Sequence, residues 1–157
     1  MAGSLIGRRQ MLAGAGAAGA VAMLGGLGSA VVANADEQSG LVGTWWLSIY
    51  SNVQRHRFNG VQAFIGGGIV VGADSGSTTS YIGTWSATGS SAFKASFFQF
   101  SFHASGNAQG YVRIDIRGTW SGDTLSGTFR VFAFDNGGVA HGDVDHGSFT
   151  GTRTEPT

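Results

Sequence analysis

The chain contains no cysteine, only one proline and few charged residues, which make up 11% of its 157 residues. Without cysteine it has no disulfide, no thiolate nucleophile and no thiolate metal site. Acidic residues balance Lys plus Arg, with nine of each, so nothing in the charge indicates binding to nucleic acid. Hydrophobic residues account for 42%, which argues against disorder. The length predicts one domain with a single modest core.

Glycine is abundant, at 28 residues, and several glycines interrupt an uncharged stretch near the start of the chain. This stretch, residues 10–35, follows Arg8-Arg9 and ends in Ala33-Asn34-Ala35. A basic start, an apolar stretch and a small-x-small end are the parts of an export signal. The paired arginines and the glycine-weakened apolar stretch resemble the twin-arginine class of signals.

We therefore predict that residues 1–35 are a signal peptide and that residues 36–157 form the exported domain. Export would take it to the periplasm, the cell wall or the medium, without stable membrane insertion after cleavage. The alternative is an uncleaved membrane anchor, because the apolar run is long enough to span a bilayer. Its glycines make a membrane helix the less favoured interpretation.

From residue 41 onward, period-two stretches alternate with turns of Gly, Ser, Asn and Asp, and no segment has helical periodicity. Eight sequential strands with short turns predict an all-β, antiparallel up-and-down barrel, whose closure leaves no exposed sheet edge. The predicted strands cover residues 43–50, 56–65, 68–73, 81–87, 92–103, 109–121, 124–135 and 138–153.

A Gly-Thr-x tripeptide recurs along these strands. Because side chains alternate between the faces of a strand, the third residue lies opposite Thr and on the same face as Gly. We expect the large third residue to point inward and Gly to leave room for it. The repeats are Gly43-Thr44-Trp45, Gly83-Thr84-Trp85, Gly118-Thr119-Trp120, Gly127-Thr128-Phe129 and Gly151-Thr152-Arg153.

Gly43-Thr44-Trp45 in the first strand, together with Arg153 in the last, resembles the lipocalin and avidin-like barrels, the calycins. In these families a Gly-x-Trp packs against an arginine from the end of the barrel. The resemblance implies that Arg153 stacks on Trp45 and closes one end, with Trp85 and Trp120 beside it. The chain lacks the disulfide and final helix of typical lipocalins, and it has no match to the avidin biotin contacts.

The same alternation predicts the residues that line the lumen. On the fifth strand, Lys94 shares a face with Phe98, Phe100 and Phe102, which places that face outside. An exposed aromatic stripe of this kind predicts a partner surface, here for self-association. The stripe comprises Phe98, Phe100, Phe102, Phe132 and Phe134. The predicted ligand-binding residues are Gln62, Phe64, Phe97, Gln99, Ile114, Phe129 and Val131.

Alternation also places His141, Asp143 and Asp145 on the lining, unless a bulge at Gly142 or Gly147 turns them outward. Three interpretations stay open for this cluster: ligands for a divalent cation, carboxylates for acid–base chemistry, or a solvated strand end. If the protein is an enzyme, the catalytic candidates are these three residues and Tyr81. We predict no metal ion and no cofactor.

The function predicted from these features is binding of a small apolar or amphipathic molecule in the lumen of an exported barrel. The alternative is a cyclase or isomerase resembling the allene-oxide-cyclase-like barrels, in which the cavity folds a reactive apolar substrate. A third interpretation is a purely structural or interaction module that uses the outer phenylalanine stripe. The basic tripeptide Arg55-His56-Arg57 would, in the binding case, meet an anionic head group at the mouth.

Overall fold

The structure, a computed structural model, describes residues 40–103 and 105–155. The predicted signal peptide, residues 1–35, lies outside this part of the chain. Within it, no helix is long and apolar enough to cross a membrane. The eight strands are β1 (Gly43–Ser51), β2 (His56–Ile65), β3 (Ile69–Asp74), β4 (Tyr81–Ala87), β5 (Ala92–Phe102), β6 (Ala108–Ser121), β7 (Thr124–Asp135) and β8 (Ala140–Arg153).

The strands form one closed barrel in which each strand pairs antiparallel with its neighbour in sequence, and β8 pairs with β1. The predicted eight-stranded antiparallel up-and-down barrel is therefore confirmed. Strand bounds differ from the prediction by a residue or two. For example, β8 begins at Ala140 rather than 138, because Gly138 has a φ of +80° and belongs to the preceding turn.

Alternation between the two faces of the barrel wall separates the core from the surface. In β1, Trp45 is completely buried, whereas its neighbour Trp46 is 49% exposed. In β5, Phe97 is buried and Phe98 is exposed, as Lys94 on the outer face predicts. One glycine-rich chain thus places one set of rings inside and a second set outside.

The glycines of the repeat leave room for inward rings on neighbouring strands. A Cβ atom on Gly118 would lie 2.8 Å from the ring of Phe93. A Cβ on Gly127 would meet both the ring of Phe149 and the backbone carbonyl of Arg117. Any larger residue at these positions would push a ring out of the core, so the repeat reflects close packing of rings against bare backbone.

Two of the indole rings that close one end of the barrel donate their N–H groups to backbone carbonyl oxygens nearby. Trp45 donates from Nε1 to the carbonyl oxygen of Leu41 at 2.9 Å. Trp85 donates from Nε1 to that of Ile65, also at 2.9 Å. Because the N–H of each indole is hydrogen-bonded, its burial costs little, and burial of the apolar ring stabilises the fold.

Arg153 covers the closed end of the barrel. Its guanidinium carbon lies 4.3 Å from the centroid of the Trp45 ring. It donates to the backbone carbonyl oxygens of Val42, at 2.7 Å, and of Gly40, and it pairs with Asp123 at 3.0 Å. The contact implied by the calycin resemblance is therefore present. It joins the last strand to the segment before the first.

Candidate functional site

The other half of the barrel encloses a cavity of about 380 Å³ that opens at the end opposite Arg153. About half of its lining residues are apolar, and the others are polar, charged or glycine. The apolar lining residues are Leu47, Ile49, Phe58, Phe97, Val112, Ile114, Ile116, Phe129, Val131, Val144 and Phe149. The remaining lining residues are Gln54, His56, Gln62, Asp74, Gly76, Ser77, Tyr81, Gln99, Ser101 and Asp145.

Most of the predicted ligand-binding residues lie on this lining, and Phe64 does not. Phe64 is 1% exposed and packs edge-on against Trp85 and Phe93 in the closed end, with ring centroids 5.8 and 5.1 Å away. Its placement in the ligand site was wrong because alternation predicts the face of a strand but not the depth along the barrel axis. The predicted residues that do line the cavity are Gln62, Phe97, Gln99, Ile114, Phe129 and Val131.

Three polar side chains on the lining lie in one row across adjacent strands. Gln62 pairs in register with Gly72, Gly72 with Tyr81, and Tyr81 with Gln99. The ring of Tyr81 lies over Gly72, where any Cβ would collide with it, and stacks on Phe97 at a centroid distance of 4.4 Å. Gly72 therefore fixes the position of Tyr81 at the cavity wall.

Asp74, at the end of β3, faces the cavity beside this row. Burial raises the pKa of Asp74, and hydrogen bonds from the backbone of Gly76 and the side chain of Gln99 oppose the shift. Burial, and after it the charge of Asp74, raises the pKa of the Tyr81 hydroxyl. The sequence analysis missed Asp74, because an Asp followed by Ser-Gly is typical of an exposed turn.

Gln62 presents an unpaired donor to the lining. Its side chain is 2% exposed, and its Nε2 has no hydrogen-bond partner among the described residues. An unsatisfied buried donor of this kind costs about 1–3 kcal/mol. An acceptor atom on a bound molecule would satisfy it.

Asp145 is the most buried acidic side chain of the lining, at 8% exposed. It accepts hydrogen bonds from Ser51 Oγ at 2.8 Å, from Gln54 Nε2 at 3.3 Å and from the backbone N–H of His146 at 2.7 Å. All three donors are neutral. In the described part of the chain, Asp145 takes part in no ion pair.

The rest of the predicted polar cluster lies outside the barrel, which corrects its placement on the lining. The register between β7 and β8 pairs Val131 with Asp145 but Phe132 with Asp143, so Val144 is an extra residue on β8. Such a bulge reverses the alternation beyond it. The sequence analysis considered bulges at Gly142 and Gly147, and the irregularities fall instead at Val144 and His141.

On the outer surface, the two displaced candidates have ordinary partners. Asp143 accepts two hydrogen bonds from Arg130, the shorter at 2.7 Å. His141 lies 3.8 Å from Asp135, with more than half of its side chain exposed. Neither residue approaches Tyr81 or the cavity lining. Across residues 40–103 and 105–155, no three His, Asp or Glu side chains converge on a possible metal site.

The basic tripeptide contributes one residue to the mouth. His56 lies on the lining, whereas the guanidinium of Arg57 lies 5.4 Å from the ring of Tyr50 and does not line the cavity. Arg55, with a φ of +55°, belongs to the turn between β1 and β2 and is also absent from the lining. The expected basic entrance for an anionic head group is therefore reduced to one imidazole.

The predicted aromatic stripe is on the outer wall. Phe98, Phe100 and Phe102 are 45%, 60% and 50% exposed. Phe132 and Phe134, on β7, are partly buried, and the guanidinium of Arg113 lies over both, at 4.9 and 6.0 Å. Self-association through this stripe stays a prediction.

No protein-family model matches the chain, and no curated protein or solved structure is significantly similar to it.

Proposed function

We propose that this protein is an exported binding protein that holds one small, mainly apolar molecule in the barrel lumen. The observation that carries the proposal is the cavity of about 380 Å³, whose wall combines apolar side chains with polar groups that face inward. Binding sites for small molecules have this composition, in which apolar side chains supply affinity and a few polar groups set orientation.

The contrast with the closed end supports the proposal. There, the rings of Trp45, Trp85 and Phe93 belong to one cluster of buried hydrophobic side chains. In the open half, the lining combines rings such as Phe97 and Phe129 with smaller side chains such as Val112 and Val131, and it encloses the cavity. Space inside a core lowers the stability of a fold, because the lining atoms lose contacts. A binding role accounts for retaining it.

Export and a lipocalin-like relationship are parts of the same proposal. The basis for export is the twin-arginine-like segment, residues 1–35. The basis for the relationship is the packing of Arg153 on Trp45 at the closed end of an eight-stranded barrel. Binding in the lumen is argued from the cavity and does not depend on either.

A fluorescence titration with the neutral probe N-phenyl-1-naphthylamine tests the binding function. We expect saturable binding of one probe per chain. Ile114→Trp, which fills the lumen, should weaken binding by about tenfold or more. The matched control is Ile82→Trp, because Ile82 is 61% exposed on the outer wall. Circular dichroism establishes that both variants fold. Equal binding by the folded Ile114→Trp protein would refute a site in the lumen.

A second candidate function is a cyclase or isomerase acting on a reactive apolar substrate. The observation that favours it is the pair of Asp74 and Tyr81 on the lining, where burial raises the pKa of both. A carboxyl that holds its proton in an apolar cavity is suited to general acid catalysis. Of the set predicted from sequence, Tyr81 and Asp145 line the cavity, whereas Asp143 and His141 do not.

If the protein is such an enzyme, we expect it to rearrange an apolar epoxide such as styrene oxide. Chromatography of the product measures the rate. Asp74→Asn should reduce turnover by about 100-fold while leaving binding of the neutral naphthylamine probe unchanged. Product formation at the same rate by wild type and Asp74→Asn would contradict a role for this carboxyl.

A further inference from the structure

The charged groups on the cavity lining are mainly acidic. Two carboxylates, Asp74 and Asp145, face the cavity, and among residues 40–103 and 105–155 no Lys or Arg side chain is part of its wall. Of the lining residues in this part of the chain, only His56, at the mouth, is able to carry a positive charge. A carboxylate on a bound molecule would meet repulsion here, whereas a cation would be attracted.

Asp145 combines burial with partners that are all neutral. A carboxylate offers about four acceptor sites. The hydroxyl of Ser51, the amide of Gln54 and the backbone N–H of His146 supply three neutral donors. Because these donors carry no positive charge, they compensate only part of the loss of hydration. The side chain also faces the cavity, so a group on a bound molecule can approach it.

Asp74 is the weaker candidate for the same role. It is more exposed than Asp145, and its pKa is raised, so its negative charge is less favoured. The two carboxylates lie on β8 and β3, which β1 and β2 separate. They therefore approach the cavity from different sectors of its wall.

We propose that the molecule held in the lumen carries a protonated amine, which forms an ion pair with Asp145 at the mouth while its apolar part lies against the inner wall. This inference rests on the proposed binding function and narrows its ligands to cationic amphiphiles. The unpaired Nε2 of Gln62 is an independent sign that the lumen is completed by a ligand. It requires an acceptor atom, as in an amino alcohol or an amino amide.

Competition binding with three probes of equal chain length tests the inference. Decylamine, decanol and decanoate are each titrated at pH 7.5 against bound N-phenyl-1-naphthylamine. The concentration of each competitor is kept below the one at which it forms micelles. For the wild-type protein we expect decylamine to bind about tenfold more tightly than decanol, and decanoate to bind most weakly. Asp145→Asn, which keeps the shape of the side chain, should remove the preference for decylamine and leave decanol unchanged.

Asp143→Asn is the matched control, because it removes the same charge from the outer surface, where Asp143 pairs with Arg130. It should keep the full preference. The inference is overturned if decylamine and decanol bind equally well to wild type, if Asp145→Asn retains the preference, or if Asp74→Asn alone abolishes it. Failure of all three probes and of the naphthylamine to bind would instead refute the binding function itself.

Discussion

The two ends of the barrel are built from the same eight strands but differ in how their interiors are filled. At the closed end, Trp45 and Trp85 bury their rings with both N–H groups bonded, and Arg153 covers them. At the open end, aliphatic, aromatic and polar side chains surround a cavity, Asp145 has only neutral partners, and Gln62 Nε2 has none among the described residues. The difference agrees with the proposed function, in which the closed end supplies stability and the open end holds the ligand.

The largest effect is expected at the closed end. Trp45→Ala removes a fully buried ring, its bond to Leu41 and the platform for Arg153, and should lower the free energy of unfolding by about 3–5 kcal/mol. Trp46→Ala is the matched control, because Trp46 is half exposed on the outer face, and it should cost no more than about 1 kcal/mol. Urea denaturation measures both, and similar losses would contradict the account.

The next effect should be mainly on binding. Gly72→Ala places a Cβ against the ring of Tyr81 and pushes that ring into the cavity. We expect about tenfold weaker binding of N-phenyl-1-naphthylamine and a loss of about 1–3 kcal/mol in stability. Gly66→Ala is the control, because a Cβ there meets nothing within 4 Å. If Gly72→Ala binds the probe as wild type does, Tyr81 does not shape the site.

A pH-dependent effect should appear at the open end alone. Because the folded pKa of Asp74 is raised, its charge destabilises the fold above that pKa, and the penalty disappears as the pH falls below the unfolded value of 3.8. Asp74→Asn should therefore have a higher Tm than wild type at pH 7 and the same Tm near pH 3. Asp143→Asn, on the outer surface, should show no such gain. A lower Tm for Asp74→Asn at pH 7 would show that its charge stabilises the fold.

The smallest effect on stability is expected on the outer wall, which belongs to neither end. Phe100→Asp changes a side chain that is 60% exposed and should alter the free energy of unfolding by about 0.5 kcal/mol or less. If the stripe mediates self-association, wild type elutes from gel filtration as an oligomer and Phe100→Asp as a monomer. Val61→Asp, on the outer face of β2, should leave the oligomer intact. If wild type elutes as a monomer, the prediction of self-association through the stripe is wrong.

The architecture was predictable because the signal repeats. Period-two alternation, short turns and the Gly-Thr-x tripeptide all indicate the same barrel, and each repeat independently assigns an inner face. Lys94 was enough to orient β5, because a lysine side chain is rarely buried without a partner. The contact of Arg153 with Trp45 followed from the resemblance to calycins.

The open end was harder to predict because it depends on local departures from regularity. One extra residue at Val144 in β8 moved Asp143 outside and left Asp145 within, and no residue pattern located that bulge. Asp74 was hidden in a sequence typical of a turn. Phe64 was assigned to the correct face at the wrong depth, because register along a tilted strand comes from pairing and not from periodicity.

The most direct test of the central claim is a crystal structure of the protein with N-phenyl-1-naphthylamine bound. The account predicts electron density for one probe inside the barrel, against Phe97, Ile114 and Phe129. Density on the outer stripe at Phe98 and Phe100, with the lumen filled by the protein's own side chains, would contradict it.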